Sequence, residues 1–367
     1  IEEPIYNDCY AILPNARALS LVCENGMQLS EVVLYTAGAL PEDVHDWQPP
    51  HEKADLLVVS AHCDDELIFF GGTIPYYAGE RKLAVQVAYM ANADRVRVDE
   101  ALNGLWYAGV RNAPVFLSFK DVYTETLRLA LINWGEEETT GALVGLIRRF
   151  EPEVIVSHDV EGEYGHGAHR ATANCIQQAV RCSADNAAFS DSAATYGAWQ
   201  AQKLYLHLYP ENPIMMDWNQ PLEAFGGKTA LEVANEAYHM HVSQLDYHKN
   251  VYGSGAYSSL LFGLAYTTVG VDLAKDDFFE HIAPSNFTNA ALPTATPAPA
   301  VTPMPTTTPM PSATLAPTPQ PAAKTGGPQF NEKQKQQLLG ITSILYLFLS
   351  AGALIVIKKQ RDKKNRP

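Results

Sequence analysis

The stretch VVSAHCDDELIFFGG, residues 58–72, begins as a buried strand and ends in a cluster of charge. Its apolar run extends back to Leu56, which is typical of a strand that is covered on both faces. His62 and three consecutive acids, residues 64–66, follow the strand directly. Like charges this close repel one another, so the cluster needs a compensating positive charge. The sequence therefore predicts a core strand that ends in a functional site.

Apolar strand candidates alternate with amphipathic helices through the body of the chain. The strands are expected at 55–61, 83–90, 114–119, 153–157 and 203–209, and helices at 97–109, 139–150 and 168–182. Thr140 is expected to cap the second helix, and residues 27–36 are a further strand candidate. This alternation predicts an α/β fold, Rossmann-like, with a mostly parallel sheet and helices on both faces.

In such sheets the active site lies at the carboxyl ends of the strands, where the cluster after residue 61 begins. A GxGxxG motif does not follow the first core strand, so a dinucleotide partner is not expected.

A second charged cluster, SHDVEGEYGHGAHR at residues 157–170, follows the strand at 153–157. It is rich in histidines and acids: His158, Asp159, Glu161, Glu163, His166 and His169. Both clusters should converge on one edge of the sheet, where a divalent cation would offset the negative charge of the first. Histidine and aspartate ligands without a thiolate suit Zn²⁺, and Fe²⁺ accepts the same donors. Three protein ligands with an open position are typical of a catalytic metal site.

Three motifs resemble those of one family, the PIG-L/LmbE zinc-dependent N-acetylglucosaminyl de-N-acetylases. AHCDDE, residues 61–66, is similar to the family's AHPDDE, and YGHGAHR, residues 164–170, is similar to its GHPDH. HVSQ, residues 241–244, resembles its H-x-S-Q. The resemblance covers roughly residues 54–282 and implies an LmbE-like fold with de-N-acetylase activity.

The resemblance also implies a role for five residues. His62, Asp65 and His169 would bind the zinc ion. Asp64 would be the general base that takes a proton from the attacking water, and protonated His166 would donate a proton or stabilise the oxyanion. The products would be acetate and a free amine.

The chain departs from the family pattern between these residues. Cys63 stands where the family usually has proline, and Gly167-Ala168 replaces Pro-Asp. Cys63 is an alternative fourth ligand, but alternation along an extended segment should point it away from His62.

Five further residues are candidates for substrate binding. Asp94 and Arg97 follow the second core strand in a loop that holds the sugar in the family, although a surface salt bridge would explain them too. His158 and Asp159 are expected either to order their loop or to contact substrate. His241 is expected to contact substrate or to be a satisfied structural histidine.

The chain outside this body is divided by composition. We expect an N-terminal extension at 1–50, a deacetylase domain at 51–285, a Pro/Thr-rich stalk at 293–330, a transmembrane helix at 338–357 and a basic cytoplasmic tail at 358–367. The apolar run has about the 20 residues that a bilayer-spanning helix needs. Basic residues stay cytoplasmic, so the domain is expected outside the cell, anchored to the membrane by this one helix.

Charge and targeting add further expectations. The net charge is −15; the last ten residues carry +5, which leaves −20 for the rest and disfavours nucleic acid as a partner. The start IEEPIYNDCY shows no export signal, so a signal peptide is expected to have been removed. The architecture suggests a Gram-positive bacterial surface.

Cys9 and Cys23 are candidates for a disulfide, whereas Cys175 and Cys182 are too far apart on one helix to form one.

The expected function is a metal-dependent hydrolase that removes N-acetyl groups from an N-acetylhexosamine in a surface glycan, peptidoglycan or glycolipid. The alternatives are a zinc amidase on a non-sugar amide, a catalytically silent carbohydrate-binding module and a purely structural surface protein.

Overall fold

The structure, a computed structural model, describes residues 9–12, 31–36, 44–283, 287 and 353–358. The strands are β1 Cys9–Ile12, β2 Glu31–Thr36, β3 Leu56–Ser60, β4 Val85–Ala91, β5 Val115–Phe119, β6 Val154–Ser157, β7 Lys203–His207, β8 Pro213–Met215, β9 Leu261–Thr267 and β10 Ala353–Lys358. The helices are α1 Asp65–Ile68, α2 Arg95–Tyr107, α3 Leu127–Trp134, α4 Glu136–Phe150, α5 Gly167–Cys182, α6 Ser190–Tyr196 and α7 Ala230–Tyr238. A π-helix at Pro75–Glu80 follows α1.

The larger sheet has the order β5-β4-β3-β6-β7-β9-β8. The first five strands are parallel, and β9 is antiparallel to both of its neighbours. The direction of chain progress reverses between β3 and β6, which lie side by side in the middle. In open α/β sheets, ligands bind outside the carboxyl ends of the strands at this point. The two charged clusters follow β3 and β6, so the topology brings them together.

Side chains of β3 alternate between two apolar cores. Leu56 and Val58 pack in the core under α1, α2 and α7, whereas Leu57 and Val59 pack in the core under α3, α4 and α5. Helices therefore cover both faces of a mixed α/β sheet. All five core strands and the three helices lie close to their predicted positions.

One local prediction was wrong. Thr140 does not cap α4, because the helix begins four residues earlier and Thr140 is buried within it. Three glutamates, residues 136–138, stabilise the early start through the helix dipole. The domain boundaries stay a prediction; the Gln48 N–H donates to the Arg111 carbonyl, so residues before 50 also contact the body.

The strands β1, β10 and β2 form a separate antiparallel sheet in that order. The predicted transmembrane helix at 338–357 lies outside the described residues up to 352, but its last five residues lie in β10. The sequence ALIVIK is rich in β-branched residues, which favour a strand. No helix within the described ranges is both long and apolar enough to cross a membrane. The stalk and the tail beyond residue 358 also lie outside these ranges.

Cysteines 63, 175 and 182 carry free thiols. The prediction that Cys175 and Cys182 do not pair is confirmed, since both lie on α5. The suggested pairing of Cys9 with Cys23 cannot be described, because Cys23 lies outside the described ranges.

Candidate active site

The loop after β3 holds Asp64 in an unusual backbone conformation. Its φ of 138° is rare for a residue with a side chain, and such strain is typical of functional sites. Neighbouring groups hold it in place: one Arg97 nitrogen donates to the Cys63 carbonyl at 2.6 Å and to Asp64 Oδ1 at 2.9 Å. The Asp64 N–H donates to Glu66 Oε2 at 2.9 Å. The general-base candidate is therefore fixed through both its backbone and its carboxylate.

The loop after β6 is organised around one buried carboxylate, that of Glu163. It lies 2.7 Å from His169 Nδ1, 2.9 Å from His158 Nδ1 and 2.7 Å from His207 Nδ1. A tight turn at Gly162 makes this possible, since a Cβ there would lie 2.5 Å from the His166 carbonyl oxygen. Burial alone would raise the pKa of Glu163, but the histidines outweigh burial and hold the pKa well below its ordinary value. Glu163 thus orients several rings as a permanent anion.

The two loops meet at three donor atoms. His62 Nδ1 lies 2.9 Å from Asp65 Oδ2 and 3.2 Å from His169 Nε2, and the last two atoms lie 3.2 Å apart. Ligands of a tetrahedral zinc site are separated by about 3.3 Å, given bonds of about 2.0 Å to nitrogen and oxygen. The three predicted ligands therefore fit one divalent cation. Two overlapping sets, His62 with His166 and His169, and Asp65 with His158 and His169, are also close enough to hold a metal.

The same cluster requires positive charge. Burial would lower the pKa of His169, but Asp65 and Glu163 outweigh burial and raise the pKa to about 10. A metal ligand must lose this proton, so a cation would replace the charge that the proton supplies. Two histidines and one carboxylate suit Zn²⁺ or Fe²⁺. Cys63 takes no part: its side chain packs in an apolar core, and burial raises the pKa of its thiol well above the ordinary value.

The neighbouring acids Asp64 and Asp65 have pKa values that move in opposite directions. Burial, followed by the charge of Asp65, raises the pKa of Asp64 to about 7, although Arg97 lowers it. Burial would raise the pKa of Asp65 too, but His169 and His62 outweigh burial and hold the pKa well below its ordinary value. Groups whose pKa values are pushed apart in this way are typical of acid–base catalysis. Asp65 is then a constant anion for a cation, and Asp64 is able to exchange a proton near neutral pH.

The surroundings of His166 lower its affinity for a proton. Burial, followed by the positive charge of His169 and His62, lowers its pKa to about 3, so the ring is neutral. The Ala168 N–H donates to His166 Nδ1 at 3.2 Å, which places the ring proton on Nε2. These surroundings favour a neutral ring with one N–H donor, whereas the family resemblance implies a protonated His166. Tyr123 and Tyr164 flank this ring edge-on, at centroid distances of 5.1 and 5.8 Å.

An open cavity of about 550 Å³ lies over these groups. Of the five candidates for substrate binding, Arg97 lines it. The structure gives the other four different surroundings. Asp94 is the N-cap of α2 and accepts from the Arg97 N–H.

Of the remaining three, His158 and Asp159 are held by internal hydrogen bonds. His158 is fully buried and its Nε2 accepts from the Ala61 N–H. Asp159 accepts from the Glu161 N–H within its own loop. His241 is fully buried, but neither ring nitrogen has a hydrogen-bond partner among the described residues; its Nε2 lies 3.8 Å from Glu66 Oε1. Substrate contact by these four residues stays a prediction.

Sequence reasoning missed Asp121 and His207. Asp121 follows β5 and lines the cavity, with Oδ1 3.4 Å from His62 Nε2. His207 ends β7 and contacts Glu163. Both lie at carboxyl ends of parallel strands, and a search for polar residues at each predicted strand end would have found them.

The chain is similar in sequence to known deacetylases. Residues 57–180 match the family described as "PIG-L: GlcNAc-PI de-N-acetylase". The 1D-myo-inositol 2-acetamido-2-deoxy-alpha-D-glucopyranoside deacetylase of Mycobacterium leprae (strain Br4923) is 28% identical over 188 residues, which are 43% of this chain and 61% of the relative. The Thermobifida fusca (strain YX) protein of the same name is 30% identical over 42% of this chain and 62% of its own length. The matched segment thus spans less than two thirds of these relatives.

The fold is also similar to that of a solved structure. N,N'-diacetylchitobiose deacetylase from Pyrococcus horikoshii superimposes with a TM-score of 0.40 and 18% identity, covering 54% of this chain and 74% of that one. The sequence match includes both metal-site loops and the strands β3 and β6 that place them. Residues 57–180 of this chain therefore match the PIG-L family.

Proposed function

We propose that this chain is a metal-dependent hydrolase that removes the N-acetyl group from an N-acetylhexosamine in a glycan or glycolipid. One observation carries the proposal: the donor atoms of His62, Asp65 and His169 lie within 3.2 Å of one another, next to Asp64. The matching family and the relatives are described as deacetylases, which supports the same reaction. Peptidoglycan is one glycan within this proposal.

His62, Asp65 and His169 would hold the cation, either Zn²⁺ or Fe²⁺. When bound, the cation supplies Lewis-acid polarisation of the acetyl carbonyl and acidifies water at the site. Asp64 takes a proton from the attacking water as the C–O bond forms. The same proton is available for the amine nitrogen as the C–N bond breaks, because the pKa of Asp64 is about 7. Neutral His166 donates a hydrogen bond to the developing oxyanion.

The proposal is tested by acetate release from the purified full chain, loaded with Zn²⁺ or Fe²⁺. The substrates are N-acetylglucosamine oligomers, muropeptides, glycolipids and simple non-sugar acetamides. We expect release from a glycan substrate that a chelator abolishes and that Asp64→Asn lowers by about 10²–10⁴-fold. The control Asp191→Asn, an exposed acid on α6, should retain activity. Release from the non-sugar acetamides alone, or metal binding with no release at all, would contradict the proposal.

The membrane tether stays a prediction of the sequence. The apolar run at 338–357, its basic tail and the Pro/Thr-rich segment at 293–330 support a location at the outer face of a membrane. Flotation of the full chain with lipid vesicles tests it, with Leu347→Arg as the matched variant. Co-flotation that the variant loses would support the tether. A full chain that stays in the aqueous fraction would favour the strand β10 over a membrane helix.

A further inference from the structure

Two tyrosines on the wall of the cavity are largely exposed. Tyr123 is 61% exposed and Tyr247 is 78% exposed, yet both line the cavity that is also lined by His62, Asp64 and Asp65. Rings this exposed contribute little to the core. Exposed aromatic side chains beside polar groups in a cleft are typical of ligand-binding surfaces.

Both tyrosines have defined positions near the reaction centre. Tyr123 lies in the loop between β5 and α3, with its ring 5.1 Å from the ring of His166. Tyr247 lies after α7, where its N–H donates to the Gln244 carbonyl at 2.9 Å. The neighbouring His248 is held by the Tyr252 hydroxyl at 2.9 Å. The aromatic surface is therefore built from two separate segments around one opening.

The charges of the protein wall favour an uncharged ligand. Among the described residues that line the cavity, Arg97 is the single lysine or arginine. Its guanidinium lies 2.9 Å from Asp64 Oδ1 and 3.9 Å from Asp121 Oδ2. These carboxylates already neutralise Arg97. A phosphate or carboxylate beside the reacting sugar would therefore find no unpaired lysine or arginine among the described residues that line the cavity. A neutral sugar ring presents an apolar C–H face, which packs on an aromatic ring.

We propose that Tyr123 and Tyr247 form a stacking subsite for a second, uncharged sugar ring that adjoins the N-acetylated one. The substrate is then a neutral oligosaccharide of two or more rings. This inference rests on the proposed de-N-acetylase function.

The test compares kcat/KM of the metal-loaded full chain for N-acetylglucosamine and for its β-1,4-linked disaccharide. The wild-type protein should prefer the disaccharide. Tyr123→Ala and Tyr247→Ala should each lower the disaccharide-to-monosaccharide ratio about five- to tenfold, as expected for the loss of one aromatic stacking contact. The phenylalanine variants should retain the ratio, because they keep the ring. Tyr196→Ala removes an exposed tyrosine on α6 and serves as the matched control.

Two results would overturn the inference: a wild-type protein with no preference for the disaccharide, or alanine variants that leave the ratio unchanged. If neither sugar is hydrolysed, no ratio of kcat/KM values can be measured, and disaccharide binding tests the subsite separately. Saturation-transfer NMR should then show contact between the disaccharide and the wild-type protein. The double variant Tyr123→Ala/Tyr247→Ala should lose this contact. Equal signals in both proteins, or no signal in the wild-type protein, would overturn the subsite.

Discussion

The two loops that build the site are stabilised in different ways. The loop after β3 carries the acids, and it is held from outside by Arg97 on α2, which contacts both Asp64 and the Cys63 carbonyl. The loop after β6 carries the histidines, and it is held from within by the buried carboxylate of Glu163. Each loop is thus stabilised by a residue whose charge is opposite to that of the loop's functional groups. Removing either support should therefore damage a different property of the site.

The loops also depend on each other. Asp65 of the first lies 3.2 Å from His169 Nε2 of the second. The negative charge of the cluster that follows β3 is therefore compensated by groups that follow β6, the neighbouring strand in the middle of the sheet. A bound cation would strengthen this link, since its ligands come from both loops.

The largest effect is expected from the support of the second loop. Glu163→Ala leaves His158, His169 and His207 without their shared carboxylate. Loss of one partner in a buried charged network costs about 3–5 kcal/mol of unfolding free energy. Loss of the group that orients a metal ligand lowers metal affinity about 10- to 100-fold. Denaturant unfolding and Zn²⁺ titration measure the two effects.

Two further variants sharpen this test. Glu161→Ala removes an acid from the same loop whose side chain is 80% exposed, so stability and affinity should hardly change. Glu163→Gln keeps the side-chain volume and one acceptor oxygen, so it should fold and still bind the metal more weakly. Wild-type affinity in Glu163→Gln and Glu163→Ala together would mean that Glu163 does not orient His169.

An intermediate effect is expected from the support of the first loop. Asp64 must be ionised to accept a proton, so kcat/KM rises as the pH rises through its pKa of about 7. Arg97 lowers this pKa, so Arg97→Gln should raise it. The acidic limb of the plot of kcat/KM against pH should then move to higher pH by about one unit or more. Arg95→Gln, an exposed arginine on the same helix, is the control. An unchanged limb in Arg97→Gln would show that the arginine does not tune Asp64.

The smallest effect concerns the start of the helix that carries Arg97. Asp94 accepts from the Arg97 N–H at 3.0 Å and caps α2. Asp94→Ala should cost about 1 kcal/mol of stability, as expected for a lost N-cap. Thr229→Ala removes the corresponding cap of α7 and should cost a similar amount. A large rise in KM without loss of stability in Asp94→Ala would restore the predicted substrate role of this residue.

The sequence predicted the elements whose signal is local and strong. β3 and β6 are uninterrupted apolar runs, and a charged cluster directly follows each, so both the fold class and the metal-site loops could be inferred. The cap of α4 was missed because several residues before Thr140 also favour a helix start. The last residues of the apolar run at 338–357 suit a strand as well as a helix, and their pairing with β2 depends on residues far away in the chain.

Other features depend on three-dimensional environment. A neutral His166 follows from burial beside His62 and His169, which residue spacing does not reveal. The same limit applies to His158 and His241, whose residue type suggests a site but whose burial removes them from the cavity. Only the converged strands show which polar residues share one opening.

The number of Zn²⁺ ions bound per chain is the most direct test of whether both loops build one metal site. The full chain, stripped with a chelator and titrated with Zn²⁺ by calorimetry, should bind one ion at this site. His62→Ala in the first loop and His169→Ala in the second should each lower affinity by at least about 10-fold, and the double variant should abolish binding at the site. If a variant of either loop binds Zn²⁺ as tightly as the wild-type protein, that loop does not supply a ligand, and the shared metal site is contradicted.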